Sequence, residues 1–325
     1  MSERRKRAIA ITLTLTVLAA VVLALLGVWE NRHSLFPDAT PDGWDADLEH
    51  NGRQYVLDPD VETILVMGLD KVSDEISNDS YNNNQQADFL ILFVLNNEKK
   101  TCTALHINRD TMAEINVLGV AGEKVGTVTK QLALSHTYGN GKIVSCRNTA
   151  DAVSDLLYNA KINHYLSVTM DSVSVFNDFV GGVELEILDD FSAVDATMIQ
   201  GQTMTLTGEQ ALNYVRSRKG MDDSTNNRRM ERQRQYMEAL RAKAETVSQS
   251  NPQFAAEAAT KMSDYLVSNC SVTLLQSLYE KVNSYEYTGM LTVKGEHRLG
   301  EKYVEFYPDE TALKEQAIAL FYKEK

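Results

Sequence analysis

The sequence predicts an α/β or α+β sandwich carried behind one membrane anchor. Over residues 62–245, short apolar runs of strand length alternate with amphipathic stretches of helical spacing. Residues 8–28 form an uncharged run of 21 positions. The chain has 325 residues, 43% hydrophobic and 24% charged, enough to bury one large core with appendages.

The anchor comes first. The run AIAITLTLTVLAAVVLALLGV is long enough to cross hydrocarbon as a helix, which takes about 20 residues. Arg4, Arg5, Lys6 and Arg7 precede it, so the positive-inside bias leaves residues 1–7 in the cytoplasm and the body outside. A cleaved signal peptide is the competing reading. Its apolar region is usually about 7–15 residues, and no clear small-x-small site follows this one. Residues 29–61 contain Pro37, Pro41, Gly43 and Pro59 with little periodicity, and read as a linker.

The core begins near Val61. TILVM, 63–67, is a short apolar run that leads through Gly68 and Leu69 to Asp70, a strand delivering an acid at its tip. The polar, asparagine-rich stretch 73–86 is a loop. Asp88 then opens FLILFVL, a continuous apolar run expected of a strand covered on both faces, and after the turn-like 96–100 a second strand runs over 101–107. If Leu95 pairs with Thr101, antiparallel register sets Asp88 opposite Asn108, beside Arg109 and Asp110. Asp70 joins them if its strand lies alongside. His106 alternates with apolar neighbours and reads as a structural histidine.

Asp171 is placed to cap a helix whose face is Val173, Phe176 and Val180, ended by Gly181-Gly182 before the strand VELEIL. Thr207 and Gln210 have the spacing of a capping box for a helix reaching Tyr214 or Val215. Arg216 and Arg218 follow, on one face if that exit is extended. The next helix should begin near Asn226 or Asn227. Met230, Met237, Leu240, Ala244 and Val247 form its apolar stripe, with Gln233 inside the arc and Arg229 at its edge. Arg228 and Arg232 fall on the opposite side, toward solvent or a neighbouring loop. Beyond 245, residues 273–282 look helical, 289–293 strand-like and 311–322 helical. Leu313, Ala317, Leu320 and Phe321 are core candidates, so 246–325 reads as an extension packed on the same domain.

Charge narrows the chemistry. The formal net charge is −13, which argues against nucleic-acid binding along a backbone. Four basic residues and one acidic precede the anchor, so the rest carries −16. Yet residues 214–235 hold six arginines. In one reading Arg216, Arg218 and Arg229 surround a phosphate or pyrophosphate, for which arginine's planar fork is suited, while Asp70 and Asp88 hold a divalent cation such as Mg2+ beside it. In the other, the arginines pair with surface acids along a solvated helix. Cys102, Cys146 and Cys270 lack metal-ligand spacing; a Cys102–Cys146 bridge is possible outside the cell.

The motifs ILVMGLD, QADFLIL, LHINRDT, FVGGVEL, GQTMTLTGEQALNYVRSR and RRMERQRQ stand in this order behind an anchor. The chain so resembles the LytR-CpsA-Psr family of cell-wall glycopolymer ligases, over about residues 62–240. The resemblance implies an α/β/α sandwich with a central mixed sheet and a pocket for a polyprenyl chain. It implies transfer of a glycopolymer, of teichoic-acid or capsular type, from polyprenyl (pyro)phosphate to peptidoglycan, with Mg2+ at the pyrophosphate, at the cell membrane of a Gram-positive-type bacterium. Asp70 and Asp88 match the family's metal-binding acids. Arg109 matches the arginine of its Pro-Arg-Asp motif. Arg216, Arg218, Arg229 and Gln233 match the residues around the head group. Asp110 would orient Arg109, accept the hydroxyl proton or support the strand end. Segments 89–95, 164–168 and 175–183 are candidates for the lipid pocket or for ordinary core.

The chain departs from the family pattern at four places. Gln86-Ala87-Asp88 replaces Arg-Ser-Asp, and Asn108-Arg109-Asp110 replaces Pro-Arg-Asp. Val72 stands where a basic residue is common, with Lys71 beside it, and Asn226 replaces an aspartate. Two other functions fit the same residues: hydrolysis of the lipid pyrophosphate, and a non-catalytic envelope-binding or regulatory role.

Overall fold

The protein is seen in a computed structural model that describes residues 48–70, 83–217 and 227–325, apart from 252, 302 and scattered positions between 272 and 283; at Asp70 and a few positions between 255 and 263 it describes the backbone alone. The expected anchor at 8–28, most of the 73–86 loop and Arg218 lie outside the described residues. Among the described residues, no helix is long and apolar enough to cross a membrane.

In chain order the strands are β1 (Leu48–His50), β2 (Arg53–Leu57), β3 (Val61–Asp70), β4 (Gln86–Asn96), β5 (Thr101–Ile107), β6 (Met112–Leu118), β7 (Lys124–Gln131), β8 (His164–Thr169), β9 (Val183–Glu186), β10 (Thr203–Leu206), β11 (Leu266–Ser268), β12 (Glu286–Thr292), β13 (Gly295–Leu299), β14 (Val304–Pro308) and β15 (Tyr322–Glu324). The helices are α1 (Ile143–Leu156), α2 (Asp171–Phe179), α3 (Gly208–Arg216), α4 (Asn227–Ser250), α5 (Phe254–Met262) and α6 (Glu310–Phe321). They fall into two compact units. One, the sheet unit, is drawn from Asn31–Ser167, Val267–Asn269 and Thr288–Lys325; the other, the helical unit, includes Val168–Leu266 and Cys270–Tyr287.

The sheet unit is built on six strands in the order β11-β8-β3-β4-β5-β12. The pairs β3–β4 and β4–β5 are antiparallel. Thr63, at the start of β3, exchanges hydrogen bonds with Asn163 just before β8, so those two strands start at one end and run parallel. The sheet is therefore mixed. Residues 90–95 of β4 are all buried, as an apolar run covered on both faces requires. Ala150 and Val153 of α1 and Leu313, Ala317 and Phe321 of α6 share a core with Leu65, Leu92 and Leu105.

Three expectations about this unit change. Part of the stretch read as a linker forms the β1–β2 hairpin, whose β2 pairs with β15 near the end of the chain. Its hydrogen-bond partners lie more than 260 residues away, beyond the reach of local periodicity. The β4–β5 register is shifted by one: Leu95 pairs with Cys102 and Asn96 with Thr101. Asn96 Oδ1 accepts from the Lys99 N–H, and Lys100 closes the turn with a left-handed φ of 55°. Continued, this register sets Arg109, rather than Asn108, level with Asp88. Finally, Cys102 and Cys146 are buried thiols with no bridge between them. Cys146 donates to Ser167 Oγ at 3.3 Å instead.

In the helical unit, Thr207 Oγ1 accepts from the Gln210 N–H while Gln210 Oε1 accepts from the Thr207 N–H, the expected capping box. Gly208 has no room for a Cβ, which would meet the Ser174 carbonyl at 2.5 Å. Its N–H donates to Asp178 Oδ1 of α2 at 2.7 Å. Asp171 is the first residue of α2 rather than its cap, and makes no capping bond. There its carboxylate favours the positive end of the helix dipole. The core gathers Phe176, Val180, Val183, Leu206, Tyr214, Tyr236 and Leu240.

Candidate functional site

In the sheet unit the acid and arginine read from the β4–β5 hairpin do meet. Arg109 follows β5, and its chain turns at once, with the Thr111 N–H bonded to the Asn108 carbonyl. The Arg109 guanidinium donates through Nη1 to Asp88 Oδ1 and through Nη2 to Gln86 Oε1 at 2.6 Å. Its Nε lies 3.4 Å from Asp110 Oδ1. Asp88, Arg109 and Asp110 are all buried. A buried charge must be paired, because an isolated one costs several kcal/mol; here two carboxylates surround one guanidinium.

The carboxylate of Asp110 is held in turn. Gln131 Nε2 donates both to Asp110 Oδ1 at 3.1 Å and to the Val304 carbonyl at 2.8 Å. Asn108, standing where the family has proline, uses Oδ1 to accept from the Asp110 N–H and meets His297 Nε2 through Nδ2 at 3.1 Å. Gln131 and His297 lie in segments where no sequence motif marks them. His106 is buried, its ring tilted against Phe89 at 5.1 Å, consistent with the structural reading.

Strand register gives Asp70 its place: its Cα partner is Gln86, and the pairing shifts between Gly68 and Leu69 so that Asp88 is the residue skipped beside it. Mg2+ takes one or two carboxylates and completes its shell with water and substrate phosphates. Asp88, with Asp70 at that register position, is a donor set of this kind. Among the described residues no cluster of three or more His, Cys, Asp or Glu forms a dedicated metal cage.

The helical unit holds a second cluster. Arg229 and Gln233 are buried as the apolar stripe implies. Gln233 Nε2 donates to the Val215 carbonyl at 3.1 Å. Arg216 ends α3 and is exposed. Arg232 overturns the expectation that it faces away from the core: it is 1% exposed. It donates to the carbonyls of Tyr214 at 2.6 Å and Ser217 at 2.5 Å. Its Nε lies 3.0 Å from Asp189 Oδ2, an ion pair whose N–H is not aligned for a hydrogen bond. Arg228 Nη2 donates to Asp189 Oδ1 at 2.6 Å. Burial pulls the Arg232 pKa down, opposed by the Asp189 charge, while the hydrogen bond to Asp189 raises that of Arg228. Burial also pushes the Tyr214 hydroxyl up to about 12, so it stays protonated and donates to Gln235.

The LytR_cpsA_psr family model matches residues 44–320. A polyisoprenyl-teichoic acid–peptidoglycan teichoic acid transferase TagU from Halalkalibacterium halodurans is 32% identical over 178 residues, 55% of this chain and 51% of that protein. The chain spans about half the length of the curated relatives it matches. Among solved structures, TagV of B. subtilis superposes with a TM-score of 0.60 at 25% identity, over 81% of this chain and 97% of that one. Protein gbs0355 from Streptococcus agalactiae gives 0.63 at 20% identity, over 80% and 87%, a likeness of fold.

Proposed function

The chain belongs to the LytR_cpsA_psr family, and from that premise we propose that it is a membrane-anchored, extracytoplasmic phosphotransferase attaching a glycopolymer carried on polyprenyl (pyro)phosphate to peptidoglycan. The observation that supports this most is the buried guanidinium of Arg109, held at the end of the β4–β5 hairpin by Asp88 and Gln86. Its partners are side chains that can rearrange. Arg109 has five N–H groups in a fixed fork, and bidentate recognition of phosphate oxygens is what that geometry serves. The printed name of the Halalkalibacterium relative, a transferase of polyisoprenyl-linked teichoic acid, favours that donor class. The uncharged run at 8–28 favours an anchor beside a lipid-borne donor.

In the reaction so proposed, a sugar hydroxyl of peptidoglycan attacks the phosphorus that carries the glycopolymer. The bond from that phosphorus to the bridging oxygen breaks, polyprenyl phosphate leaves, and the hydroxyl proton is lost to solvent or a nearby base. The residues assigned to stabilise charge growing on pyrophosphate oxygens are Arg109 in the sheet unit and, taken separately, Arg216, Arg218, Arg229 and Gln233 in the helical unit. Asp88 and Asp70 are the acids assigned to hold Mg2+. When bound, Mg2+ supplies Lewis-acid stabilisation of phosphate charge. Asp110, engaged by Gln131 and close to Arg109 Nε, orients the arginine rather than acting as base. The polyprenyl chain occupies an apolar pocket.

The test is transfer from a labelled polyprenyl-pyrophosphoryl oligosaccharide to peptidoglycan fragments by the full chain in detergent with Mg2+. Attachment by the wild type that disappears in Asp88→Ala and Arg218→Ala is expected. Release of free oligosaccharide phosphate without attachment would make the protein a hydrolase, and donor binding with neither product a binding protein.

A further inference from the structure

Arg232 is held by backbone carbonyls as well as by a carboxylate, whereas the partners described for Arg109 are all side chains. A helix leaves its last four carbonyls without intrahelical partners. A left-handed residue, usually glycine, commonly closes such an end. Helix α3 ends instead on Ser217 in an extended conformation, φ −63° and ψ 142°. Its Tyr214 and Ser217 carbonyls are taken by Arg232, and its Val215 carbonyl by Gln233. The Arg232 guanidinium lies over the rings of Phe191 and Tyr214, 5.2 and 5.9 Å from their centroids, and Asp189 meets it from the side. Its plane is therefore fixed on several sides. Arg216 stands between the two clamped carbonyls.

We propose that Arg232, held by Asp189, is a positioning residue for Arg216: by fixing the backbone on both sides of Arg216 it presents that guanidinium, already oriented, to the phosphate oxygens of the donor. This rests on the phosphotransferase reading above. Pre-orientation matters because a long side chain otherwise loses rotamer freedom on binding. Only arginine fits the place. A lysine ammonium is a point donor and cannot bridge two carbonyls and a carboxylate in one plane. Asp189 keeps the fork from turning and neutralises it where burial is nearly complete.

A double-mutant cycle separates this role from a merely structural one. The full chain in detergent with Mg2+ is titrated with a C15 polyprenyl pyrophosphate, and folding is followed by circular dichroism. Arg232→Lys is expected to weaken binding about tenfold in the wild-type background and less than twofold in the Arg216→Ala background. Asp189→Asn, which is isosteric and leaves the carbonyl bonds in place, is expected to weaken it about threefold with the same dependence on Arg216. If Arg232→Lys fails to fold, the Asp189→Asn cycle decides alone. Binding unchanged by the variants, or weakened equally in both backgrounds, overturns the positioning role while leaving the pyrophosphate reading intact. A folded wild type that does not bind the probe overturns both.

Discussion

Arg109 in the sheet unit and Arg232 in the helical unit are both buried and both paired with an aspartate, yet their remaining partners differ in kind. Arg109 is held by side chains: Asp88, Gln86 and, at longer range, Asp110. Arg232 is held by two backbone carbonyls as well as Asp189. A side-chain partner can rotate away when a phosphate or a cation arrives. A helix-terminal carbonyl cannot, because the fold fixes it. The partners of Arg109 are thus side chains able to rotate and those of Arg232 include fixed backbone, a difference that composition and burial alone do not show.

The largest expected effect comes from splitting the first pair. Arg109→Ala breaks a buried ion pair, which should cost about 3–5 kcal/mol in denaturant unfolding and abolish transfer. The Asp88→Leu/Arg109→Met double variant should recover most of that stability, since buried pairs are often replaceable by apolar groups, while remaining inactive. The same operation on the second pair sharpens the contrast. Asp189→Leu/Arg232→Met should stay destabilised by about 2–6 kcal/mol, because the Tyr214 and Ser217 carbonyls lose their donors at about 1–3 kcal/mol each. Equal recovery in both double variants would erase the distinction.

Smaller effects probe each unit by itself. Burial raises the Asp151 carboxyl of α1 from 3.8 to about 6, with Arg147 opposing it. A carboxyl that binds its proton more tightly folded than unfolded costs stability as pH rises from about 4 to about 6, and the loss persists above. Asp151→Asn should therefore match the wild type below pH 4 and exceed it by roughly 1–3 kcal/mol at pH 7, read from urea midpoints across that range. His136, lowered to about 4 by burial in the same unit, has the opposite slope: stability falls as pH drops from about 6.5 to about 4. The variant should thus show a steeper acid loss than the wild type. In the helical unit, Thr207→Ala removes one half of the capping box and should cost about 1 kcal/mol.

Much of this was legible in the sequence where signals are local. The apolar run after Asp88, the Thr207–Gln210 box and the start of α4 at Asn227 are all short-range features, and each stands where its residues indicate. The Asp88–Arg109 contact needed only a hairpin, so it survived a register one residue off, set by the left-handed Lys100. What escaped depends on distant segments. Strand β2 is completed by β15, from the far end of the chain. Arg232 was placed outward because a single apolar stripe assumes one buried face, whereas α4 packs against both α3 and β9 and buries a wider arc. Asp189 lies in a stretch without periodicity between β9 and β10, where nothing distinguishes it from Asp190.

The central claim is that the Asp88–Arg109 pair is an exchangeable site for phosphate and cation. The most direct measurement is the affinity of the full chain for a polyprenyl pyrophosphate as Mg2+ is titrated, in the wild type and in Asp88→Asn. Mg2+ is expected to tighten wild-type binding at least tenfold and to leave Asp88→Asn flat. An equal response in both proteins would contradict it.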